Sequence, residues 1–348
     1  MNSYGDSNQR LTQPHWAELP DEELLKINMC DLELSIEGTP LEHRIALIRQ
    51  ELRDRNILFE PHFWLSDEWF CADGIPGIAI PFYLAHPRLE KLERAQLLEV
   101  EGGEEAWCLK ILRHEVGHAI ENGFRLRLLK QRKKVFGRSS LTYPEYYTPK
   151  PYSKSFVLHL DPWYAQSHPD EDFAETFAVW LTPNSDWRER YKGWPAINKL
   201  LYMERLMGEI AEKPAPVQNK KLLDPLRSIK KTLAEHYAIR KEKYSKETPR
   251  FYDKELLTLF SDQAAFSKNL PASSFIRRKR RLIRSTVSRW TGTYQYTIDR
   301  VLEAMLRRAS ELGLRLTLSE EETIKQFTVL VTVQTMNYLH SGRHRVAL

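Results

Sequence analysis

The stretch Ile111-Leu112-Arg113-His114-Glu115-Val116-Gly117-His118-Ala119-Ile120 decides how the rest of the chain is interpreted. On an α-helix His114 and His118 are four residues apart, so both imidazoles leave the same face. That spacing lets two neutral ring nitrogens bind one Zn²⁺ at about 2.0–2.1 Å. Glu115 follows the first histidine and projects beside such a metal, where it can take a proton from an attacking water.

The residues around this motif predict a buried helix over 103–122. Trp107, Ile111, His114 and His118 fall on one stripe, and Asn122-Gly123 follows as a stop signal. Histidines on such a stripe face inward or into a cleft, and buried histidines with a carboxylate between them usually have partners. The alternatives are an exposed helix with two solvated histidines, or a pair satisfied within the core.

A second helix begins sharply at His168-Pro169-Asp170-Glu171, with proline at the first helical position and acids in the first turn. Glu175 lies in it among Phe173, Ala174 and Phe177, and burying a carboxylate there is costly unless it is paired or binds a cation. A zinc ion that holds two histidines needs a third ligand, so we expect Glu175 to supply it. Two alternatives stay open for this position: Glu175 points to solvent or pairs with an arginine, and Glu121 is the ligand instead.

Together, H-E-x-x-H and Glu171-Asp172-Phe173-Ala174-Glu175-Thr176-Phe177 resemble the gluzincin branch of the zincin metallopeptidases. The second motif is similar to that of the anthrax lethal-factor peptidase domain and of related zinc-binding peptidases of bacteria. The resemblance covers roughly residues 70–185. It implies one Zn²⁺ per chain held by His114, His118 and Glu175, with Glu115 as general base for the hydrolysis of protein or peptide substrates.

The same resemblance implies a hydrogen-bond donor for the oxyanion shortly before the glutamate ligand. The lethal-factor pattern has a tyrosine there, whereas this chain has His168, with Tyr164 four residues earlier, so either is a candidate. The metzincin pattern requires Gly at position 121 and His at position 124, and it does not fit because this chain has Glu121 and Phe124. The thermolysin type has an acid four residues after its glutamate ligand, but position 179 is Val. The carboxylate that orients a histidine is therefore open among Asp172, Glu121 and Asp186.

The predicted fold class is α+β, a zincin-like catalytic domain of a small twisted sheet and metal-binding helices, followed by a mostly helical C-terminal region. We expect a flexible leader over 1–20, the catalytic domain over 21–213 and a basic helical domain over 217–348, with the boundary at Lys213-Pro214-Ala215-Pro216. Other predicted helices cover 21–35, 41–55, 89–99, 222–243, 251–268, 272–290, 293–312 and 319–340. Predicted strands cover 56–59, 63–65 and 74–84. The last contains two prolines, so we expect an edge strand. It either pairs with a peptide substrate by strand addition or is an ordinary edge without a ligand.

Composition limits the class of protein. Hydrophobic residues make up 42% of 348, enough for a sizeable core. No apolar run reaches the roughly 18 residues of a membrane span, and the first residues lack a secretion signal. Three scattered cysteines (Cys30, Cys71 and Cys108) are typical of reduced thiols, so we expect a cytoplasmic protein.

The net charge of +5 hides an asymmetry. Residues 225–348 carry 24 Lys+Arg against 12 Asp+Glu, which leaves 28 against 35 for residues 1–224. The predicted helix over 272–290 is basic and amphipathic, and it fits either nucleic-acid binding or a solvated face of a helical bundle. We favour the bundle, because no recognised nucleic-acid-binding fold accompanies it. Two functions thus remain beside the peptidase: a non-catalytic zinc-binding or scaffold protein, and a nucleic-acid-binding protein.

Overall fold

The computed structural model of the chain describes residues 14–144, 146–147, 150, 153–160, 163–245, 252–340 and 346–347. It is mostly helical with small sheets. The helices are α1 (Asp21–Leu24), α2 (Pro40–Asp54), α3 (Pro87–Leu97), α4 (Glu105–Gly123), α5 (Lys130–Phe136), α6 (Pro169–Leu181), α7 (Trp187–Arg190), α8 (Ile197–Ile210), α9 (Leu233–Ser245), α10 (Asp253–Leu259), α11 (Ala272–Thr291), α12 (Gln295–Glu311) and α13 (Glu320–His340). The strands are β1 (His62–Ser66), β2 (Gly77–Pro81), β3 (Tyr146–Tyr147), β4 (Phe260–Ser261), β5 (Arg315–Leu316) and β6 (Val346–Ala347).

The sheet beside α4 is a parallel pair, β1 and β2, in which Trp64 lies opposite Ala79. The strand predicted over 74–84 is shortened to β2, and the segment over 56–59 is not a strand. The outer edge of β2 is not open at Ala79, because its N–H donates to the carbonyl of Phe70 at 2.9 Å. The prediction of an edge that is free for a peptide therefore fails at this position.

The predicted helix over 21–35 is also wrong. Only α1 and a short 3₁₀ turn, Met29–Leu32, form within it. The backbone N–H groups of Met29 and Cys30 donate instead to the carbonyls of Lys231 and Ile229, both at 3.0 Å. Long-range pairing with the segment before α9 has replaced the local helix.

The centre of the first core is the packing of α4 against α6. A Cβ placed on Gly117 would lie 2.8 Å from the Cα of Ala174 and 3.1 Å from its carbonyl oxygen. The two helices therefore approach so closely that only glycine fits at this point. This contact sets the separation between the side chains that α4 and α6 direct at each other.

Two large hydrophobic cores divide most of the described chain, and a third, small cluster contains Trp64, Ile75 and Ala79. The first extends in sequence from Trp16 to Tyr237, and the second from Tyr252 to Val331. Trp16 is buried in the first core, and residues 1–13 of the expected leader lie outside the described residues. α9, which follows the predicted boundary at 213–217, contributes Leu233 and Tyr237 to the first core. The boundary itself stays a prediction.

The second core is a bundle of α10 to α13. On the basic helix α11, Arg280 pairs with Asp299 and Glu303, and Arg284 pairs with Asp299. Part of the positive charge that the sequence concentrates on this helix is thus compensated within the bundle. Among the described residues, every helix is too short or too polar to cross a membrane.

Candidate metal centre

Helices α4 and α6 supply the four side chains at the centre of the first core. His114 and His118 come from α4, and Glu171 and Glu175 from α6. All four are at most 6% exposed. Four ionisable groups at this depth require partners, because an isolated buried charge is unstable.

Three of these side chains converge on one point. Nε2 of His114 lies 3.1 Å from Nε2 of His118, and Oε2 of Glu171 lies 3.0 Å from the first nitrogen and 3.1 Å from the second. These three side chains together form a group that is placed to hold a metal ion. The expected third ligand at this point was Glu175, one helical turn later.

Glu175 contacts the opposite side of the His114 ring. Its Oε1 lies 2.8 Å from Nδ1 of His114, and its Oε2 accepts the backbone N–H of Leu160 at 2.8 Å. With Nδ1–H donating to Glu175, the Nε2 lone pair of His114 faces His118 and Glu171. Glu175 thus contacts the His114 ring at the nitrogen where an orienting acid would bind, and the sequence suggested Asp172, Glu121 or Asp186 for that position.

The other acidic candidates are bound elsewhere. Both carboxylate oxygens of Glu121 pair with arginines, at 2.7 Å to Arg132 and 3.0 Å to Arg127. Asp172 pairs with Lys199 at 2.6 Å. Asp186 directly precedes α7.

The charges of the group are strongly coupled. Burial alone would lower the pKa of His114, but the hydrogen bonds and charges of Glu171 and Glu175 outweigh it and raise that pKa well above its usual value. Burial would raise the pKa of Glu171, and the two histidines instead hold it well below its usual range. The site therefore favours positive charge among its nitrogens, from protons or from a metal ion.

The donor set fits zinc. Tetrahedral zinc with bonds of about 2.0–2.1 Å places its ligand atoms about 3.3 Å apart. The three observed separations are 3.0, 3.1 and 3.1 Å. Two imidazole nitrogens and one carboxylate are also a ligand set of catalytic zinc sites. The observed separations between ligand atoms are therefore slightly shorter than those in a tetrahedral zinc site.

Glu115 lies beside the group on α4 and is 7% exposed. Its Oε2 is buried and has no hydrogen-bond partner among the described residues. Burial raises the pKa of this carboxyl, and the two histidines oppose that effect. A buried, unpartnered carboxylate next to a metal-binding group is suited to accept a proton.

The two candidate oxyanion donors lie in different surroundings. The ring of Tyr164 is 5.5 Å from that of His114, centroid to centroid, and lines the same cleft as Glu115. His168 caps α6: its Nδ1 accepts the Asp170 N–H at 3.2 Å, and its Nε2 lies 3.0 Å from the Leu141 carbonyl. Both ring nitrogens of His168 are therefore engaged with backbone, which differs from the expected role at the oxyanion.

His168 instead supports another side chain. It stacks on Tyr143 with ring centroids 3.8 Å apart, and the Tyr143 hydroxyl donates to Oε1 of Glu171 at 2.8 Å. Sequence reasoning missed both Tyr143 and Glu171. The sequence does carry a signal for Glu171: it lies four residues before Glu175, which is the spacing of ligand and orienting acid in the thermolysin type.

The group opens into a cleft of about 760 Å³. Its walls include His114, Glu115 and Tyr164 from the first core, and residues of the turn between α11 and α12, such as Thr293 and Tyr294. The Tyr294 hydroxyl donates to Oε1 of Glu101 at 3.2 Å, which ties the bundle to this cleft.

Residues 104–190 match the sequence model of a family described as putative zinc-binding metallo-peptidase. The matched segment runs from the start of α4 to the end of α7 and contains every side chain of the group. It is one quarter of the chain, and it supports a metallopeptidase-like function. No curated protein and no solved structure matches the chain.

Proposed function

We propose that this chain is a zinc-dependent metallopeptidase that hydrolyses amide bonds of peptides or proteins. In this proposal His114, His118 and Glu171 hold one Zn²⁺, Glu175 orients His114, and Glu115 is the general base. The carrying observation is that two Nε2 atoms and one carboxylate oxygen lie 3.0–3.1 Å apart, with the unpartnered carboxylate of Glu115 beside them.

Each residue has a separate task in this mechanism. Zinc, when bound, would polarise the scissile carbonyl and lower the pKa of a water ligand toward about 7. Glu115 accepts the proton of the attacking water and returns it to the leaving amine. Tyr164 lines the cleft beside His114, and its hydroxyl donates to the oxygen that becomes negative during attack. Burial, with the charge of Glu171, raises the pKa of Tyr164 well above its usual value, so its hydroxyl keeps its proton.

The substitution Glu115→Gln tests this proposal. It keeps the shape of the side chain but removes its ability to accept a proton, so kcat should fall by about 10²–10⁴-fold or more. Zinc content should stay near that of the wild type, because Glu115 is not among the proposed ligands. The measurements are zinc by elemental analysis and cleavage of a quenched fluorescent peptide library.

Glu105→Gln is the matched control, because Glu105 is an exposed acid in the first turn of the same helix. It should leave both readouts unchanged. A wild-type protein that binds zinc and cleaves no peptide would support a non-catalytic zinc protein instead. Turnover by Glu115→Gln at the wild-type rate would remove Glu115 as the base.

A further inference from the structure

The cleft above the proposed metal centre carries an excess of acidic side chains. Besides Glu115, five carboxylates line it, against three cationic side chains. The acids are Asp67, Glu68, Glu99, Glu101 and Glu104, and the cations are Lys110, Arg240 and Arg289.

Existing ion pairs do not remove this imbalance. Arg240 is held by Glu93, which lies outside the set of lining acids, at 2.6 Å. Asp67 is paired with Lys231 at 2.7 Å. Glu68 and Glu104 are exposed, and their carboxylates make no hydrogen bond or ion pair with any described residue. The wall therefore retains carboxylates that are available to a ligand.

Two of the acids are held close enough to affect each other. Burial raises the pKa of Glu99 to about 7; the backbone N–H of Gln295 and the charges of Arg240 and Arg284 oppose this rise, and the charge of Glu101 adds to it. Glu99 and Glu101 thus line one partly desolvated wall of the cleft. A bound cation would stabilise the ionised form of both carboxyl groups.

An independent feature indicates that a ligand enters this cleft. Glu115 lines it, is 7% exposed and has a buried Oε2 with no partner among the described residues. The indole Nε1 of Trp69, another lining residue, is likewise buried and unpartnered among them. The acidic wall and the proposed general base therefore belong to one continuous site.

We propose that the acidic wall, defined by Glu68, Glu99 and Glu101, binds a cationic group of the substrate, an ammonium or a guanidinium. This inference rests on the proposed peptidase function and assigns its substrate class. The cation belongs either to a Lys or Arg side chain or to the free amino terminus of the peptide. Both present the same chemistry to the wall, and the experiment distinguishes them.

The test uses the zinc-loaded full-length chain and quenched fluorescent peptides. Each peptide contains a single Lys, Gln or Glu moved through the positions around the cleaved bond, with a free or an acetylated amino terminus. At one position we expect kcat/KM for Lys to exceed that for Gln by about tenfold, which corresponds to about 1.4 kcal/mol. If kcat/KM instead falls by about tenfold when the amino terminus is acetylated, whichever side chain is present, the bound cation is the terminal amine and the proposal still holds.

Variants locate the effect. Two variants should reduce the preference for Lys over Gln to about threefold or less. They are Glu68→Gln, at an exposed position with an unpartnered carboxylate, and the double variant Glu99→Gln/Glu101→Gln. Because this preference is a ratio of two kcat/KM values, any loss that is common to the Lys and Gln peptides cancels. Glu22→Gln, an exposed acid of α1, should change nothing. Thermal unfolding of each variant shows whether the fold is kept.

The outcomes separate this inference from the proposed function. Equal kcat/KM for the Lys, Gln and Glu peptides that is also unaffected by acetylation of the amino terminus, or a preference unchanged in Glu68→Gln and in the double variant, overturns the cationic site and leaves the peptidase intact. If the wild type cleaves no peptide, the peptidase proposal fails. Fluorescence anisotropy of labelled Lys and Gln peptides then tests the wall alone, and equal binding of the two overturns it.

Discussion

Glu171 and Glu175 are chemically identical side chains one helical turn apart, and their surroundings differ. Glu171 directs one oxygen at both Nε2 atoms and receives the Tyr143 hydroxyl on the other. Glu175 is fully buried and uses its oxygens on Nδ1 of His114 and the N–H of Leu160. The first arrangement suits a metal ligand, and the second suits a group that fixes the ring of a ligand.

The substitutions Glu171→Gln and Glu175→Gln should therefore weaken zinc binding to different extents. Glu171→Gln removes a proposed ligand and should weaken zinc binding by more than about 100-fold. Glu175→Gln removes an orienting group, for which losses of about 10–100-fold are typical. Competition with a chromophoric chelator measures both, and Glu189→Gln, at an exposed position, is the control. A larger loss for Glu175→Gln would restore the ligand set expected from sequence.

The sequence could locate this site but could not choose between these two acids. H-E-x-x-H names His114, Glu115 and His118 by spacing alone. Residues four apart on a helix, in contrast, differ by only about 40° in direction and about 6 Å in rise. Which of Glu171 and Glu175 meets the nitrogens depends on how α6 crosses α4, and no local pattern encodes that crossing.

At the scale of elements, the site depends on the contact between α4 and α6. Local signals predicted both helices closely: 103–122 against Glu105–Gly123, and a start at Pro169. The same kind of reasoning failed over 21–35, where Met29 and Cys30 pair with residues near 230. Helices with clear start signals and apolar periodicity form where the sequence predicts them, whereas a weakly predicted helix is replaced by long-range hydrogen bonds.

Gly117→Ala should separate these two helices. The new Cβ would meet backbone atoms of Ala174 at 2.8 and 3.1 Å, which cannot rotate away. Overpacking costs about 1–3 kcal/mol and exceeds the helix-propensity gain of about 1 kcal/mol. We expect lower stability in urea for the metal-free protein, together with weaker zinc binding.

Gly208→Ala is the matched control for this substitution. Gly208 lies in α8, and a Cβ there would meet nothing within 4 Å. It should stabilise the protein by about 0.5–1 kcal/mol and leave zinc binding unchanged. If Gly117→Ala behaved in the same way as Gly208→Ala, the close helix contact would not control the site.

At the scale of the whole molecule, α9 joins the first core through a buried histidine. His236 is 1% exposed, packs edge-on against Phe82 with centroids 5.4 Å apart, and has a buried Nε2 with no partner among the described residues. Burial, with the charges of Arg240 and Lys231, lowers the pKa of His236 to about 3, and Asp67 opposes the shift weakly.

This depressed pKa should make the fold sensitive to acid. In the unfolded chain a histidine has a pKa of about 6.5, so between about pH 6.5 and pH 3 the unfolded state binds a proton that the folded state does not. Stability should therefore fall as the pH drops through this window, by up to about 1.4 kcal/mol per pH unit for this group.

His236→Gln should remove that contribution, and His43→Gln, at an exposed position, should not. Urea unfolding of the metal-free proteins at several pH values measures the slopes, and the difference between wild type and variant cancels contributions from other groups. Identical slopes for wild type and His236→Gln would mean that His236 binds its proton equally well in both states, which is incompatible with a buried neutral ring at the junction of α9 and the core.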